Sequence, residues 1–400
     1  MNFIQYLFVR SGDNMVALDQ SNIKINNRKR IIKLLSEERE LTKLEIARNL
    51  DISVPTVTTI VGELIEEGLV EEAGMAGSTG GRKPMIIRFL PDSRFSIGVD
   101  LGTDFVRTIL TNLDSKIIVD KRSELKSKEE SYVLESIVQL IKEVMKEHGI
   151  EKELLLGVGF SLPGTVDEEN LKLEVAANLK LKNLYFNGIM NLFEVPVYLE
   201  NEANAGALAE WQLGIAKDKK NVIYISVTEG VGGGIIIDGK MYKGTAMRAG
   251  EIGHMTINKN GRQCNCGKKG CWETYASKKA LLNDYKEISS EDIDNIKVIM
   301  ERYKARDDNA VKVIEKYIND LAEGIQNLLF IFNPDNIVIG GDISAYPEVL
   351  LQKLTDRIFQ QNQFYNEGDV NIMFSSLKED ANILGASLIP IVEGFGFQKI

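Results

Sequence analysis

All three cysteines of this chain fall within eight positions, in CNCGKKGCWE from Cys264 to Glu273. Composition alone would scatter them as buried thiols, so their clustering constrains the local fold more than any other feature. Thiolates are soft metal ligands, and the spacing C-x-C-x₄-C is tighter than that of a zinc finger, as a small knuckle requires. The chain has two histidines, and one of them, His254 in GEIGHM, lies ten residues before Cys264. Cys264, Cys266, Cys271 and His254 form a Cys₃His set, which reads as a closed structural zinc site with sulfur at about 2.3 Å and no open position for water. Free thiols are the alternative, and they leave the clustering unexplained. The other histidine, His148, ends a helix and reads as a polar surface residue. Three cysteines cannot all pair, and a reducing compartment favours metal over disulfide use, so a cytoplasmic location is expected.

At 400 residues, 44% apolar and 26% charged, the chain is expected to fold as two or three soluble domains. The early apolar run FIQYLFV is too short to span a bilayer, and neither a basic segment nor a cleavage site accompanies it, so no membrane role is expected. Residues 1–21 read as an extension outside the first domain. The net charge of −10 argues against a nucleic-acid partner until its distribution is considered. Residues 21–94 hold twelve Lys/Arg against eleven Asp/Glu, and Lys24, Arg28, Lys29, Arg30 and Lys33 precede any acid in that segment. Screening confines a field to about 10 Å, so a basic patch on an acidic protein can still grip phosphate.

Within 22–90 the pattern is that of a winged helix-turn-helix. NNRKRIIKLLSEE is amphipathic, with Ile31, Ile32, Leu34 and Leu35 on one face. In LTKLEIARNL, Thr42 and Glu45 form a capping box ahead of the stripe Ile46, Ala47 and Leu50. Ser53 caps a third helix with Pro55 in its first turn and Val57, Ile60, Leu64 and Ile65 in helical register, and Gly68 stops it. Short polar side chains at Thr56, Thr58 and Thr59 suit the end of a recognition helix that approaches base edges. LVEE and MIIRF bracket the Gly-rich GSTGGRKP as a wing, whose Arg82 and Lys83 are expected to enter a narrow groove. Arg28, Lys43 and Ser53 complete the expected DNA contacts. The competing reading is a small packing or dimerisation domain.

From Phe95 the chain turns to β-rich runs with Gly turns alternating with helices, an α/β body. Asp100 ends a strand before Gly102-Thr103, as a phosphate–Mg²⁺ site needs. Thr228, Gly230 and Gly232 sit in TEGVGGG between two β-branched strands, and Gly340-Gly341 close a third such strand in IVIGGD. Each turn alone is weak and could be a plain hairpin. Three in this order suggest the two-lobed, actin-like (ribonuclease H-like) fold that clamps nucleotide between Gly loops.

The ordered set DLGT, SLPGTVD, ENEANAG, EGVGGG, GEIGH, CNCGKKGCWE and IVIGGD resembles the ROK family of sugar kinases and sugar-responsive repressors, and the front domain with its GRKP linker resembles the repressor branch. The resemblance covers about 22–400. It implies a first lobe over 95–200, completed by the C-terminal helix, and a second over 201–400 that carries the zinc loop 254–273. It implies zinc at the four ligands named above, and sugar contacts from Glu251, His254, Glu273, Asn201 and Glu202, with Asn178 and Gly164 as further ones. Carboxylates suit carbohydrate because each accepts two charge-assisted hydroxyl bonds.

The departures from the family pattern fall on phosphoryl transfer. Glu202 stands where the family's kinases place an aspartate base, and one methylene is enough to move a base out of the 2.6–3.2 Å it needs. Glu229 stands in the second phosphate turn, where a carboxylate repels a triphosphate. Leu101 replaces a usual glycine and is expected to tighten the first turn. The expectation is therefore a non-enzymatic, sugar-responsive repressor that binds a palindromic operator as a homodimer or homotetramer, takes a monosaccharide as effector, and holds structural zinc but not ATP and Mg²⁺. The alternatives are an active ATP-dependent sugar kinase with a DNA module, and a zinc-stapled scaffold with neither ligand.

Overall fold

Two helix starts organise the N-terminal unit. Thr42 Oγ1 accepts the amide of Glu45, whose carboxylate accepts the Thr42 amide in return, and this capping box starts α2 (Lys43–Leu50). Ser53 caps α3 (Val54–Glu66), with Pro55 in the first turn. Both pack with α1 (Gln20–Glu38) through Ile31, Ile32, Leu35, Ile46, Val57, Ile60 and Leu64, all buried. Leu34, Leu50 and Ile65 are only half-buried, and Val61 takes a core place not assigned from the periodicity. A three-stranded sheet follows in the order β1-β3-β2, from β1 (Glu40–Thr42), β2 (Val70–Met75) and β3 (Met85–Phe89). The hairpin β2–β3 is the expected wing, and the short β1 had no sequence signal.

The computed structural model describes residues 20–75, 84–360 and 363–395. Arg82 and Lys83, and nearly all of the 1–21 extension, lie outside the described residues. Among the other expected DNA contacts, Thr58 and Thr59 are exposed on α3, and their hydroxyls bond back to the carbonyls of Val54 and Pro55. Thr56 is half-buried and shares the cap with Ser53. Several of the basic residues have acidic partners within the unit. Lys24 pairs with Glu63, Arg28 pairs with Glu67, and Lys43 lies 3.7 Å from Glu72. These pairs link helices and wing to one another at the surface of the unit.

A second compact unit begins at Arg94. Its first sheet is built from β4 (Phe95–Leu101), β5 (Phe105–Asn112), β6 (Ile117–Glu124), β7 (Leu155–Leu162) and β11 (Val197–Asn201), and α4 (Glu130–His148) packs on it. A small antiparallel sheet, β8 (Thr165–Asp167), β9 (Lys172–Ala176) and β10 (Leu181–Tyr185), and α5 (Asn187–Phe193) lie between β7 and β11 in the chain. After α6 (Glu202–Gln212), the second sheet uses β12 (Val222–Val227), β13 (Val231–Ile237), β14 (Lys240–Met241), β15 (Asn336–Gly341) and β16 (Asn371–Phe374). Helices α7 (Glu273–Ala276), α8 (Lys278–Ser289), α9 (Ile296–Lys304), α10 (Asp308–Phe332), α11 (Pro347–Phe359) and α12 (Ala381–Phe395) complete it. The strand orders are β11-β7-β4-β5-β6 and β14-β13-β12-β15-β16. Read from opposite edges, they are one pattern used twice: an antiparallel hairpin with two parallel strands added beside its first member.

Each sheet has its own apolar core, and α6 and α12 lie between them. Their backbones nearly touch: a Cβ on Gly385 of α12 would lie 1.8 Å from the Ala205 carbonyl oxygen of α6. In the same way, Gly98 and Gly159 let α12 lie against β4 and β7. Among the described residues, no helix is long and apolar enough to cross a membrane.

In an open helix, Gly→Ala stabilises by up to about 1 kcal/mol. Gly385→Ala is expected to do the reverse, costing about 1–3 kcal/mol through overpacking. Thermal melting of the variant, followed by circular dichroism, checks the sign.

Candidate functional site

A cleft of about 810 Å³ opens where the turns of both hairpins meet the N-terminus of α6. Gly164, Asn178, Asn201, Glu202, Glu251, His254 and Glu273 all line it, as do Asp100, Gly102, Thr103, Thr228, Gly230, Gly232 and Gly341. Gly340 does not. It is packed over the buried Tyr224, and a Cβ there would lie 2.0 Å from the phenol oxygen.

Asn201 anchors one side of the cleft. Its Oδ1 accepts the Ala203 and Asn204 amides and so caps α6, while its Nδ2 donates to the Gly164 carbonyl at 2.9 Å. Gly164 has φ +91, and a Cβ would meet the Val175 carbonyl at 2.1 Å, so only glycine fits that turn. Beneath Asn201 lies a buried network with no recognised sequence signal. Glu200 Oε1 accepts the Asn201 amide and Asn204 Nδ2, each at 2.9 Å. Lys243 Nζ bridges Glu200 at 2.6 Å and Glu168 at 2.7 Å.

Across the cleft, the Cys₃His cluster assembles as its spacing predicts. Ligand atoms of His254, Cys264, Cys266 and Cys271 all lie within 4.8 Å of one another. Tetrahedral thiolate coordination sets sulfurs roughly 3.8 Å apart. The Cys266–Cys271 sulfurs are 3.6 Å apart, and Cys264 Sγ is 3.6 Å from His254 Nδ1, so the set fits one metal ion. The loop is anchored by the buried Trp272, whose indole N–H donates to the Asp320 carbonyl at 2.9 Å. His254 faces both ways: Nδ1 faces Cys264 and lies 3.5 Å from Glu273, while Nε2 lies 3.7 Å from Glu251. Glu273 Oε1 also lies 2.8 Å from Cys264 Sγ. The metal-type loop and two acids that line the cleft, Glu251 and Glu273, are thus one contiguous structure.

The phosphate turns are occupied by protein groups. Glu229 does not stand free: it pairs with Lys278 at 2.7 Å, and Lys278 also lies 3.2 Å from Asp342. The lysine nearest the second turn is therefore already neutralised. Leu101 points into the first-lobe core rather than tightening its loop, and the Phe105 ring lies on Gly102 instead, with the Arg122 guanidinium 3.8 Å above the ring centroid. Asp100 is buried and accepts Ser161 Oγ at 2.7 Å, and burial raises its pKa. Glu202 lies 3.5 Å from Thr228 Oγ1, and its carboxyl is pushed up to about 7, first by burial and then by the charges of Asp100, Asp342 and Glu251.

A winged helix-turn-helix followed by a duplicated, actin-like body with a deep polar cleft defines a class: regulators and enzymes built on the sugar-kinase scaffold. Residues 96–392 match the ROK family, and residues 26–71 match a winged helix-turn-helix DNA-binding family. The chain belongs to the ROK family. It is 34% identical over 396 residues to a xylose repressor of Caldicellulosiruptor bescii, covering 94% of this chain and 98% of the relative. A ROK family transcriptional regulator, a homologue of the Escherichia coli MLC protein, is similar over 94% of this chain and 97% of its own, at 26% identity and TM-score 0.81. A ROK family glucokinase from Streptomyces griseus, in complex with glucose and AMPPNP, matches 73% of this chain and 98% of its own, at 25% identity and TM-score 0.66.

The raised Glu202 carboxyl has a consequence for stability. The folded chain keeps a proton that the unfolded chain releases between its ordinary 4.5 and about 7, so this group's contribution falls as pH rises through that window. Glu202→Gln removes the dependence. Relative to the parent, the variant is expected to gain roughly 1–2 kcal/mol between pH 5 and pH 8, read from paired denaturation curves.

Proposed function

We infer that this chain is a sugar-responsive transcriptional regulator, most simply a repressor of carbohydrate-utilisation genes. Its front unit binds operator DNA and its cleft takes a free monosaccharide. The observation that carries this reading is the contrast within one cleft. The carbohydrate side keeps Asn201, Glu251, His254 and Glu273 on a rigid frame, while the phosphate side has Lys278 clasped by Glu229 and Asp342. The similarity to xylose repressors makes D-xylose the first sugar to test. Asn178 is exposed at the cleft wall, where it would add a contact. One recognition helix per chain supports a homodimer or homotetramer on a palindromic operator with half-sites about 34–36 Å apart or a multiple of this. Sugar acts by favouring one arrangement of the two lobes over another, through its differential affinity for the two.

Fluorescence anisotropy on DNA from upstream of the chain's own gene tests this. D-xylose, D-glucose or N-acetyl-D-glucosamine is expected to change operator affinity at least five-fold, and no change with any of a broad monosaccharide panel would remove the sensing claim. A second reading, an ATP-dependent sugar kinase, is favoured by Glu202, since a carboxyl near 7 suits a general base. Coupled ADP release near 1 s⁻¹ with the same sugars would establish it over the first.

The donor set is that of structural zinc, held by Cys264, Cys266, Cys271 and His254. The ion would supply no chemistry to the sugar; it would fix the loop that presents Glu251 and Glu273. Elemental analysis is expected to find one zinc per chain. Cys266→Ser, at the exposed ligand, is expected to lose most of it and to weaken sugar binding at least ten-fold. Unchanged sugar affinity in a zinc-free protein would separate the loop from the pocket.

A further inference from the structure

The sugar-facing groups come from two separate parts of the body. Asn201 and Gly164 sit at strand ends of the first sheet, whereas Glu251 and His254 follow the second sheet in the chain. A ring that binds both sets at once needs their separation held to a few tenths of an ångström. The segment 243–249 joins β14 to the Glu251 side, and it is closed on itself by the Ala249 amide donating to the Lys243 carbonyl at 2.9 Å. Gly250 then bonds Gly233 of β13 through its carbonyl at 2.8 Å. Two cations of this strap pair across to the first lobe. At the rim, Arg248, 64% exposed, lies 3.5 Å from Glu174 of β9. At the floor, Lys243, with its side chain 8% exposed, bridges Glu200 and Glu168.

The floor bridge differs from the rim pair in kind. Exposed pairs contribute little, whereas removing one partner of a buried pair leaves uncompensated charge. Glu200 is itself tied to Asn201 and Asn204, so force on Lys243 reaches the cap of α6 through one carboxylate.

We propose that Lys243 is a positioning residue for the effector: its double bridge to Glu200 and Glu168 ties the Glu251 side of the pocket to the Asn201 side and sets the spacing a sugar ring meets. The proposal rests on the sugar-binding reading above. It does not require Lys243 to touch the sugar.

The test is calorimetric titration of full-length protein with D-xylose, D-glucose and N-acetyl-D-glucosamine, using whichever of them the parent binds. Lys243→Met is expected to raise Kd at least ten-fold, with metal content unchanged and sugar-free operator affinity within two-fold of the parent. Arg248→Ala is expected to stay within two-fold for sugar. Because K243M strands two acids, the double variant K243M/E200Q carries the decision. Gln keeps an amide oxygen for Asn201 and Asn204, and Glu168, 33% exposed, retains access to water. The double variant is expected to regain melting temperature and not sugar affinity. Recovery of both would reduce Lys243 to a counter-ion and overturn the proposal. A parent protein that binds none of the sugars removes the sugar reading and this inference with it; a parent that binds, beside a double variant that binds equally well, removes this inference alone.

Discussion

The body depends on two helices whose backbones touch. Helices α6 and α12 lie between the sheets, and their separation is set by Gly385 against the Ala205 carbonyl, with Gly98 and Gly159 extending the same close approach to β4 and β7. The cleft is the space left at the N-terminal end of α6. Because Asn201 caps that helix and also holds the Gly164 turn, this side of the cleft inherits its geometry from a very close backbone contact. Binding groups supported this way lose little freedom when a ligand arrives, which is where preorganised sites gain affinity.

Much of this was legible in the chain, for identifiable reasons. The three-helix unit announces itself through caps and period, because Thr42, Glu45, Ser53 and Pro55 act locally and need no tertiary partner. The hairpins and the Cys₃His loop are likewise short-range, so spacing carries them. Ion pairs are the opposite case. Lys24 with Glu63 and Arg28 with Glu67 are 39 residues apart, and nothing in a count of basic residues shows which will be occupied. Lys243 with Glu168 and Lys278 with Asp342 escape for the same reason. Leu101 was misassigned because strand alternation places every second residue inward, and a fully buried strand such as β4 hides which face matters. Gly340 looked like a phosphate turn but serves the Tyr224 ring, since a glycine required by packing and one required by a ligand read alike.

The two sides of the cleft are maintained by different physics. The side built around Asn201 combines amides and acids on a rigid frame of directional hydrogen bonds. The opposite side gathers Asp100, Asp342, Glu202 and Glu229; burial raises the pKa of Asp100, Asp342 and Glu202, and neighbouring acids raise Glu202 and Asp342 further. Lys278 is engaged by Glu229 and Asp342, Arg107 pairs with Asp120 and Asp380, and Arg122 stacks on Phe105.

The clasp of Lys278 between Glu229 and Asp342 bears on what such a protein would report. Adenine nucleotides are abundant and fluctuate with metabolic state, and a cleft with an unengaged lysine would sample them constantly. With that charge already paired internally, less of it is available to a triphosphate. The pairing thus keeps a charge that could hold an anion inside the protein's own network, where three groups of the chain share it.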